Sequence, residues 1–253
     1  MAKPSQKQGN VSVSKEIATE SPQVNTSQDN KEIAIDALRE KYDMLWSKYS
    51  GKSPIIDRGY SACITVSQRD ILIIGFNPSE GSITSSFLYP LPSENKGYWK
   101  DVNSMLVSPG LNLSSNAAYI DLFAFKESDQ NTGIKNIIQN PLLFSYVVDQ
   151  VTLTQELIEN IIRPKIIIVK NKAAWAFLGK EVQFTWMGYD FEHIVDTPHG
   201  ELCRIVGFRK EKDRINSSIK KSAIDGAYVL FTTHTAIDSY PTPEFLQQLL
   251  HEG

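Results

Sequence analysis

The chain has 253 residues, 41% of them hydrophobic and 22% charged, and its formal net charge is −3. This composition is that of a soluble globular domain with a sizeable core. The apolar runs are strand-sized and residues 1–30 lack the apolar centre of a signal peptide, so we expect no membrane span and a cytoplasmic location. Cys63 and Cys203 are too few to hold a metal ion or an iron–sulfur cluster, and we expect no cofactor.

Two regions differ in composition. Residues 1–30 are rich in Ser, Gln, Asn, Thr and Lys without an apolar face, which predicts a disordered N-terminal tail. Residues 31–253 are predicted to form a single α/β domain. The predicted helices cover about residues 32–49, 95–106, 142–162, 172–178 and 243 onward. The predicted strands cover about residues 62–66, 71–74, 118–123, 165–170, 202–208 and 228–232.

The alternation of strands and helices predicts parallel βαβ units with right-handed crossovers. In a sheet of this kind, ligands bind beyond the carboxyl ends of the strands. Three segments follow predicted strands in this way, namely 75–80, 121–126 and 232–236. We therefore expect the functional site at this edge of the sheet. Neither a GxGxxG nor a GxxxxGK[ST] phosphate-binding loop is present.

Three short motifs occur in one order. Residues 73–79 read Ile-Ile-Gly-Phe-Asn-Pro-Ser, an apolar strand entering a tight turn. Residues 87–92 read Phe-Leu-Tyr-Pro-Leu-Pro and are followed by Asn95 and by Tyr-Trp-Lys at 98–100. Residues 229–236 read Val-Leu-Phe-Thr-Thr-His-Thr-Ala. In this order the motifs resemble those of the uracil-DNA glycosylase superfamily, and most closely those of its mismatch-specific uracil and thymine DNA glycosylases.

The resemblance covers roughly residues 70–250 and implies both a fold and an activity. The fold would be a three-layer α/β/α sandwich with a central, mainly parallel, four-stranded sheet. The activity would be that of a monofunctional DNA N-glycosylase, which hydrolyses the N-glycosidic bond of a flipped-out base and leaves an abasic site. Its partner would be DNA, and we expect a monomer.

Asn77 and His234 are the catalytic residues that the resemblance implies. Breaking an N-glycosidic bond requires a positioned water and stabilisation of the charge that develops on the leaving base. The side-chain amide of Asn77 would hold the water, and His234 would donate a hydrogen bond to the base. The alternative interpretations are a turn asparagine that bonds its own backbone and a capping or core histidine.

Further residues of the motifs are expected to contact the substrate. Gly75, Phe76 and Pro78 belong to the turn of the first motif. Tyr89 matches the aromatic residue that stacks on the flipped base in this family, although it could equally be a core tyrosine. Ser79 stands where strict uracil enzymes have a bulky tyrosine, which leaves room for a substituent at position 5 of the base.

Asp121, at the end of the strand 118–123, departs from the family pattern. Uracil-reading members commonly have Asn at this place. An ionised carboxylate only accepts hydrogen bonds, so it suits the amino group of cytosine and not the O4 acceptor of uracil. Together with the space at Ser79, this predicts a 5-substituted cytosine as the substrate, and phage DNA containing such bases suggests a defence role. The alternative is a helix cap or an ion-pair partner.

A basic segment, residues 204–221, carries seven basic residues and two acidic residues. Lys210, Arg214 and Lys220 within it are predicted to contact DNA phosphates, and the alternative is a solvated loop. Two other functions remain open for the whole chain. One is a repair glycosylase for uracil or mismatched thymine, in which Asp121 would not touch the base. The other is a non-catalytic nucleic-acid-binding protein with the same fold.

Overall fold

The structure, a computed structural model, describes residues 26–79, 81, 86–93, 96–129, 137, 139–181, 185–232 and 240–252. Six α-helices lie in these ranges: α1 Thr26–Tyr49, α2 Pro54–Asp57, α3 Gly97–Ser104, α4 Pro141–Glu156, α5 Lys172–Leu178 and α6 Pro243–Glu252. The strands are β1 Ser61–Cys63, β2 Ile71–Gly75, β3 Phe87–Tyr89, β4 Val107–Ser108, β5 Leu111–Asn112, β6 Ala117–Asp121, β7 Ile166–Val169, β8 Tyr189–Thr197, β9 Gly200–Phe208 and β10 Tyr228–Phe231.

The main sheet has six strands in the order β6-β2-β7-β10-β9-β8. Strands β6, β2, β7 and β10 run parallel, whereas β9 is antiparallel to β10 and β8 is antiparallel to β9. The predicted α/β class is therefore confirmed, but the sheet is mixed and has two strands more than the four expected. The sequence analysis did not identify β8 because apolar and polar residues alternate only over residues 189–192 and most of the strand is polar and exposed.

Helices cover both faces of the sheet. Leu72 and Ile74 on β2 belong to a core shared with α1, α4 and α5. Ile71 and Ile73, which point to the other side of the same strand, belong to a second core shared with α3 and α6. Burial on both faces explains why β2 is a continuous apolar run. The result is the layer order α/β/α.

The helix boundaries agree with their sequence signals with one exception. Asn171 caps α5 by accepting a 2.8 Å hydrogen bond from the Ala173 amide, and Gly179 ends it with φ 110°. The predicted helix 142–162 is present as α4 and a π-helical turn, Leu157–Ile162, before Pro164. The exception is α1, which includes residues 26–30 of the predicted tail; residues 1–25 lie outside the described ranges. None of the described helices is long and apolar enough to cross a membrane.

The four parallel strands bring distant segments to one edge of the sheet. Gly75, the last residue of β2, pairs with Asp121, the last residue of β6. Val169 at the end of β7 lies beside Ile74 and Phe231. The turn after β2, the turn after β6 and the start of α5 therefore meet at the carboxyl edge, as expected for a parallel sheet.

Candidate active site

A cavity of about 760 Å³ opens at the carboxyl edge of the sheet. Its volume is within the usual range of small-molecule sites and is several times that of a pyrimidine ring. The turn after β2, strands β3 and β6, and the first residues of α3 and α5 form its walls. Phe76, Asn77, Pro78, Ser79, Tyr89 and Asp121 all line it, so six of the predicted site residues are brought together.

Aromatic side chains form much of the cavity wall. The Trp99 ring lies edge-to-face with those of Tyr89, Tyr98 and Tyr119, at centroid distances of 6.2, 5.4 and 4.8 Å. Phe87 completes this aromatic part of the lining. Rings in such arrangements are rigid and present flat faces and polar hydroxyls together. The wall therefore suits a planar ligand with hydrogen-bonding edges.

Asn77 is buried and oriented by the backbone around it. Its Nδ2 donates to the carbonyl oxygens of Pro78 at 2.8 Å and Glu127 at 2.7 Å. Because both neighbours are acceptors, the nitrogen must face them, which fixes which end of the amide is oxygen. Oδ1 is buried without a hydrogen-bond partner among the described residues. Asn77 belongs to the cavity lining, and an oriented, buried acceptor with no partner is suited to hold a water or a ligand N–H group that reaches it.

Asp121 lies in the same cavity and is only 8% exposed. The Tyr119 hydroxyl donates to its Oδ1 at 2.7 Å. A β-carbon on Gly75 would lie 2.3 Å from that oxygen and 2.1 Å from the Tyr119 hydroxyl. Gly75 is not part of the cavity lining, and the space above its α-carbon holds the Tyr119–Asp121 pair. Gly75 was predicted to contact the substrate, but in the structure its missing side chain instead leaves room for Asp121.

Burial raises the pKa of Asp121 to about 7, although hydrogen bonds from Tyr119 and Tyr89 oppose the shift. At neutral pH the protonated and ionised forms are therefore both populated. The prediction of a cytosine base assumes an ionised carboxylate, which is only one of the two forms present at neutral pH. The protonated acid also donates a hydrogen bond, which changes what it can recognise.

Sequence reasoning missed Lys170, which follows β7. Its side chain is fully buried, and Nζ has no hydrogen-bond partner among the described residues. Nζ lies 4.1 Å from the ring centre of Tyr98 and 4.5 Å from that of Tyr240. Burial lowers its pKa to about 8, and the charge of Asp101 opposes this shift. A lysine directly after the apolar strand residues 166–169 was the signal that could have indicated it.

His234, the second predicted catalytic residue, lies outside the described residues. It belongs to the segment 233–239 between β10 and α6. Thr232, the last described residue before this segment, is fully buried, and its hydroxyl donates to the Val169 carbonyl at 3.1 Å. The described chain therefore reaches the carboxyl edge at Thr232, and the position of His234 stays a prediction.

The predicted phosphate-binding residues lie elsewhere. Strand β9 starts beside Phe231 and runs toward the amino end of β10, so residues 209–221 leave at the edge opposite the cavity. Arg214 is only 8% exposed, its Nη1 donates to the Ile219 carbonyl at 3.0 Å, and its guanidinium lies over the Phe208 ring. This burial removes Arg214 from any phosphate contact. Lys210 is exposed and Lys220 is paired with Glu211, and neither lines the cavity.

Other lysines are close to the cavity. Lys172, at the start of α5, is part of the lining and is exposed. Lys96 and Lys100 are exposed on either side of Tyr98 and Trp99, which line the cavity. These three side chains are the basic residues near the lining that can meet an anionic ligand without leaving solvent.

The described part of the chain contains no group of three or more His, Cys, Asp or Glu side chains that could hold a metal ion. The cavity lining offers amide, hydroxyl, carboxyl and amino groups beside its aromatic rings. Comparison of the chain with protein-family models, curated proteins and solved structures found no match.

Proposed function

We propose that the protein is a DNA glycosylase of the uracil-DNA glycosylase type, which hydrolyses the N-glycosidic bond of a base held in the carboxyl-edge cavity. The observation that carries the proposal is the buried, unpartnered Oδ1 of Asn77, a residue that lines an aromatic cavity large enough for a base with a substituent. The four parallel strands between two helical layers support the same type of fold.

The amide of Asn77 gives the proposed reaction its nucleophile. A water that donates one hydrogen bond to Oδ1 turns a lone pair toward the anomeric carbon, C1′, of a bound nucleotide. The backbone carbonyls that hold Nδ2 prevent the amide from rotating, so no reorganisation is needed during the reaction. The buried charge of Lys170 behind Tyr98 would favour negative charge on the leaving base.

We propose a cytosine-type base with a substituent at position 5 as the substrate. Asp121 supplies the acceptor for the exocyclic amino group, and the Tyr89 and Trp99 rings enclose the flat ring of the base. The exposed Ser79 and the volume of the cavity leave space for a large 5-substituent. A defence enzyme that acts on phage DNA containing such bases is the corresponding biological role.

Uracil is the second candidate substrate, and the raised pKa of Asp121 favours it. A protonated carboxyl group donates to O4 and accepts from N3–H, as an asparagine amide does. A repair glycosylase would then act best below about pH 7. A non-catalytic binder would not need an oriented amide whose oxygen has no partner.

The experiment is incubation with oligonucleotides that each contain one test base, followed by detection of abasic sites. The test bases are uracil, thymine opposite guanine, cytosine, 5-hydroxymethylcytosine and its glucosylated form, in single and double strands. We expect excision of at least one base by the wild type and loss of it in Asn77→Ala. Wild-type protein that forms no abasic site on any of them would refute the proposal.

A further inference from the structure

We infer that Asp121 is the general acid of the reaction and delivers a proton to N3 of a cytosine-type base as its glycosidic bond breaks. The inference rests on the proposed function and adds the mechanism by which a poor leaving group departs. Cytosine expelled as an anion is less stable than the uracil anion, so its departure benefits more from a proton.

The surroundings of Asp121 favour one site for its proton. Tyr119 donates its only hydroxyl hydrogen to Oδ1, at 2.7 Å. The Tyr119 oxygen therefore accepts from the Tyr98 hydroxyl, which lies 3.0 Å away. Because Oδ1 accepts the hydrogen bond from Tyr119, we assign it as the carbonyl-type oxygen and Oδ2 as the oxygen that carries the proton, and the Tyr89 hydroxyl also donates to the carboxyl group.

The ionisable groups that face Asp121 are neutral at neutral pH. Among the described residues they are Tyr42 on α1, Cys63 on β1, Tyr89 on β3, Tyr98 on α3 and Tyr119 on its own strand. Burial raises the pKa of each phenol, and that of the Cys63 thiol to about 12. Lys172 is the basic residue of the described lining, and it is exposed to solvent. Within the described residues, the buried Lys170 lies over the Tyr98 ring and is not among the groups that shift the pKa of Asp121, and burial raises that pKa to about 7.

A protonated carboxyl group matches cytosine at two positions. Its O–H group donates to N3, which carries a lone pair, and its carbonyl oxygen accepts from the amino group at C4. An ionised carboxylate has no hydrogen to donate, so its second oxygen and the N3 lone pair would repel each other. When the proton moves to N3, the carboxylate and the protonated base edge form two charge-assisted hydrogen bonds, so the contact strengthens in the transition state.

The step balances without an additional reagent. The bond between C1′ and N1 breaks and its electron pair stays on the base, while the Oδ2 proton of Asp121 moves to N3. The base leaves as neutral cytosine with its hydrogen on N3, and the carboxyl group is left ionised. The water held by Asn77 forms the new bond to C1′ and releases one proton to solvent, and Asp121 recovers one proton from solvent.

Uracil gains much less from this acid because its N3 already carries hydrogen. Excision of a cytosine-type base should therefore depend on proton transfer from Asp121, whereas excision of uracil needs Asp121 only as a hydrogen-bond donor to O4, a role that an asparagine can also take. The dependence on pH distinguishes an acid from a residue that only positions the base, since hydrogen-bond positioning persists in an asparagine.

The test is single-turnover excision from pH 5.5 to pH 9 on matched oligonucleotides containing 5-hydroxymethylcytosine or uracil. The enzymes are the wild type, Asp121→Asn and Asp149→Asn. Asp149 is a matched control because it also accepts a 2.7 Å hydrogen bond from a tyrosine, Tyr49, but does not line the cavity. Thermal melting of each variant verifies that it is folded.

We expect the wild-type rate on the cytosine-type base to fall about tenfold per pH unit above pH 7, the range in which Asp121 loses its proton. Asp121→Asn should be slower by on the order of 10²-fold and independent of pH, and Asp149→Asn should behave as the wild type. A flat wild-type profile, an unimpaired Asp121→Asn, or excision of uracil alone would overturn the inference while leaving the glycosylase intact. Absence of abasic sites from every base would overturn the proposed function as well.

Discussion

The hydroxyl of Tyr119 donates a 2.7 Å hydrogen bond to Oδ1 of Asp121, and both side chains are buried at the end of one strand. The two residues are two positions apart on β6, so their side chains leave the same face of the strand. On the adjacent strand β2, the residue paired with Asp121 is Gly75. Because glycine has no side chain, the Tyr119–Asp121 pair occupies the space above it. This local arrangement keeps a carboxyl group in an aromatic cavity, where burial controls its protonation.

Replacing Asn77 by Ala should lower excision by on the order of 10²-fold or more, because the water loses its oriented acceptor. The measurement is single-turnover abasic-site formation. Asn140→Ala is a matched control, since the Asn140 side chain caps α4 by accepting from the Leu142 amide at 3.0 Å and does not line the cavity. It should lose about 1 kcal/mol of stability and no activity. Equal activity of the Asn77 variant and the wild type would contradict the proposed water site.

Gly75→Ala should destabilise the fold by about 1–3 kcal/mol, because its β-carbon would overlap the Tyr119–Asp121 pair. Adding Tyr119→Phe in the same chain removes the atom 2.1 Å away, so part of the loss should be recovered. Urea unfolding of the two single variants and the double variant measures this coupling. Additive losses would show that the crowding at Gly75 is relieved in some other way.

Asp121→Asn should increase stability at alkaline pH. The folded chain holds a proton on Asp121 up to about pH 7, whereas the unfolded chain releases it near the ordinary value of 3.8. The free energy of unfolding therefore falls as pH rises from about 3.8 to about 7. This loss of stability is complete once the pH is above the pKa of the folded chain. Relative to the wild type, the variant should gain up to about 4 kcal/mol between pH 4 and pH 8. Urea unfolding at both pH values measures the gain, and a difference that does not change with pH would contradict the raised pKa.

DNA binding should depend on the lysines beside the cavity and not on the predicted basic segment. Lys100→Gln and Lys172→Gln should weaken binding and reduce the slope of log affinity against log salt by about 0.9 for each phosphate that the variant no longer neutralises. Lys210→Gln and Lys220→Gln are charge-matched controls at the opposite edge and should leave the slope unchanged. Fluorescence anisotropy over a range of salt concentrations measures both. The reverse pattern would restore the prediction made from the sequence.

Ser79→Tyr should selectively remove activity on bases with a large group at position 5. The Ser79 side chain is small, exposed and part of the cavity lining, so a ring at this position would occupy the space proposed for the substituent. Excision of glucosylated 5-hydroxymethylcytosine should fall by at least about tenfold more than excision of plain cytosine or uracil, which corresponds to about 1.4 kcal/mol. A uniform loss on all bases would show that the new ring blocks the whole cavity.

Much of the site could be predicted from the sequence because parallel strands impose a simple geometry. The apolar runs before Gly75 and Asp121 identified two strands, and their carboxyl ends had to meet at one edge. The order of the motifs predicted that Asn77 and Tyr89 belong to one site, and both residues line the same cavity. In contrast, Arg214 lies in a basic segment for which the sequence predicts exposed side chains, but its own side chain is buried. Packing of the guanidinium against the Phe208 ring outweighs the local pattern of charge.

The sequence by itself determined the α/β class, the buried parallel strands β2, β6, β7 and β10, and the edge at which Asn77 and Asp121 lie, since these depend on apolar runs and turn residues close together in the chain. Only the tertiary structure decided that the Asn77 amide oxygen has no partner among the described residues, that Lys170 is buried against two tyrosine rings, and that burial raises the pKa of Asp121 to about 7. These properties arise from desolvation and hydrogen bonding by residues that are distant in sequence. A protonation state is fixed by what surrounds a group in space, and no local pattern of residues encodes it.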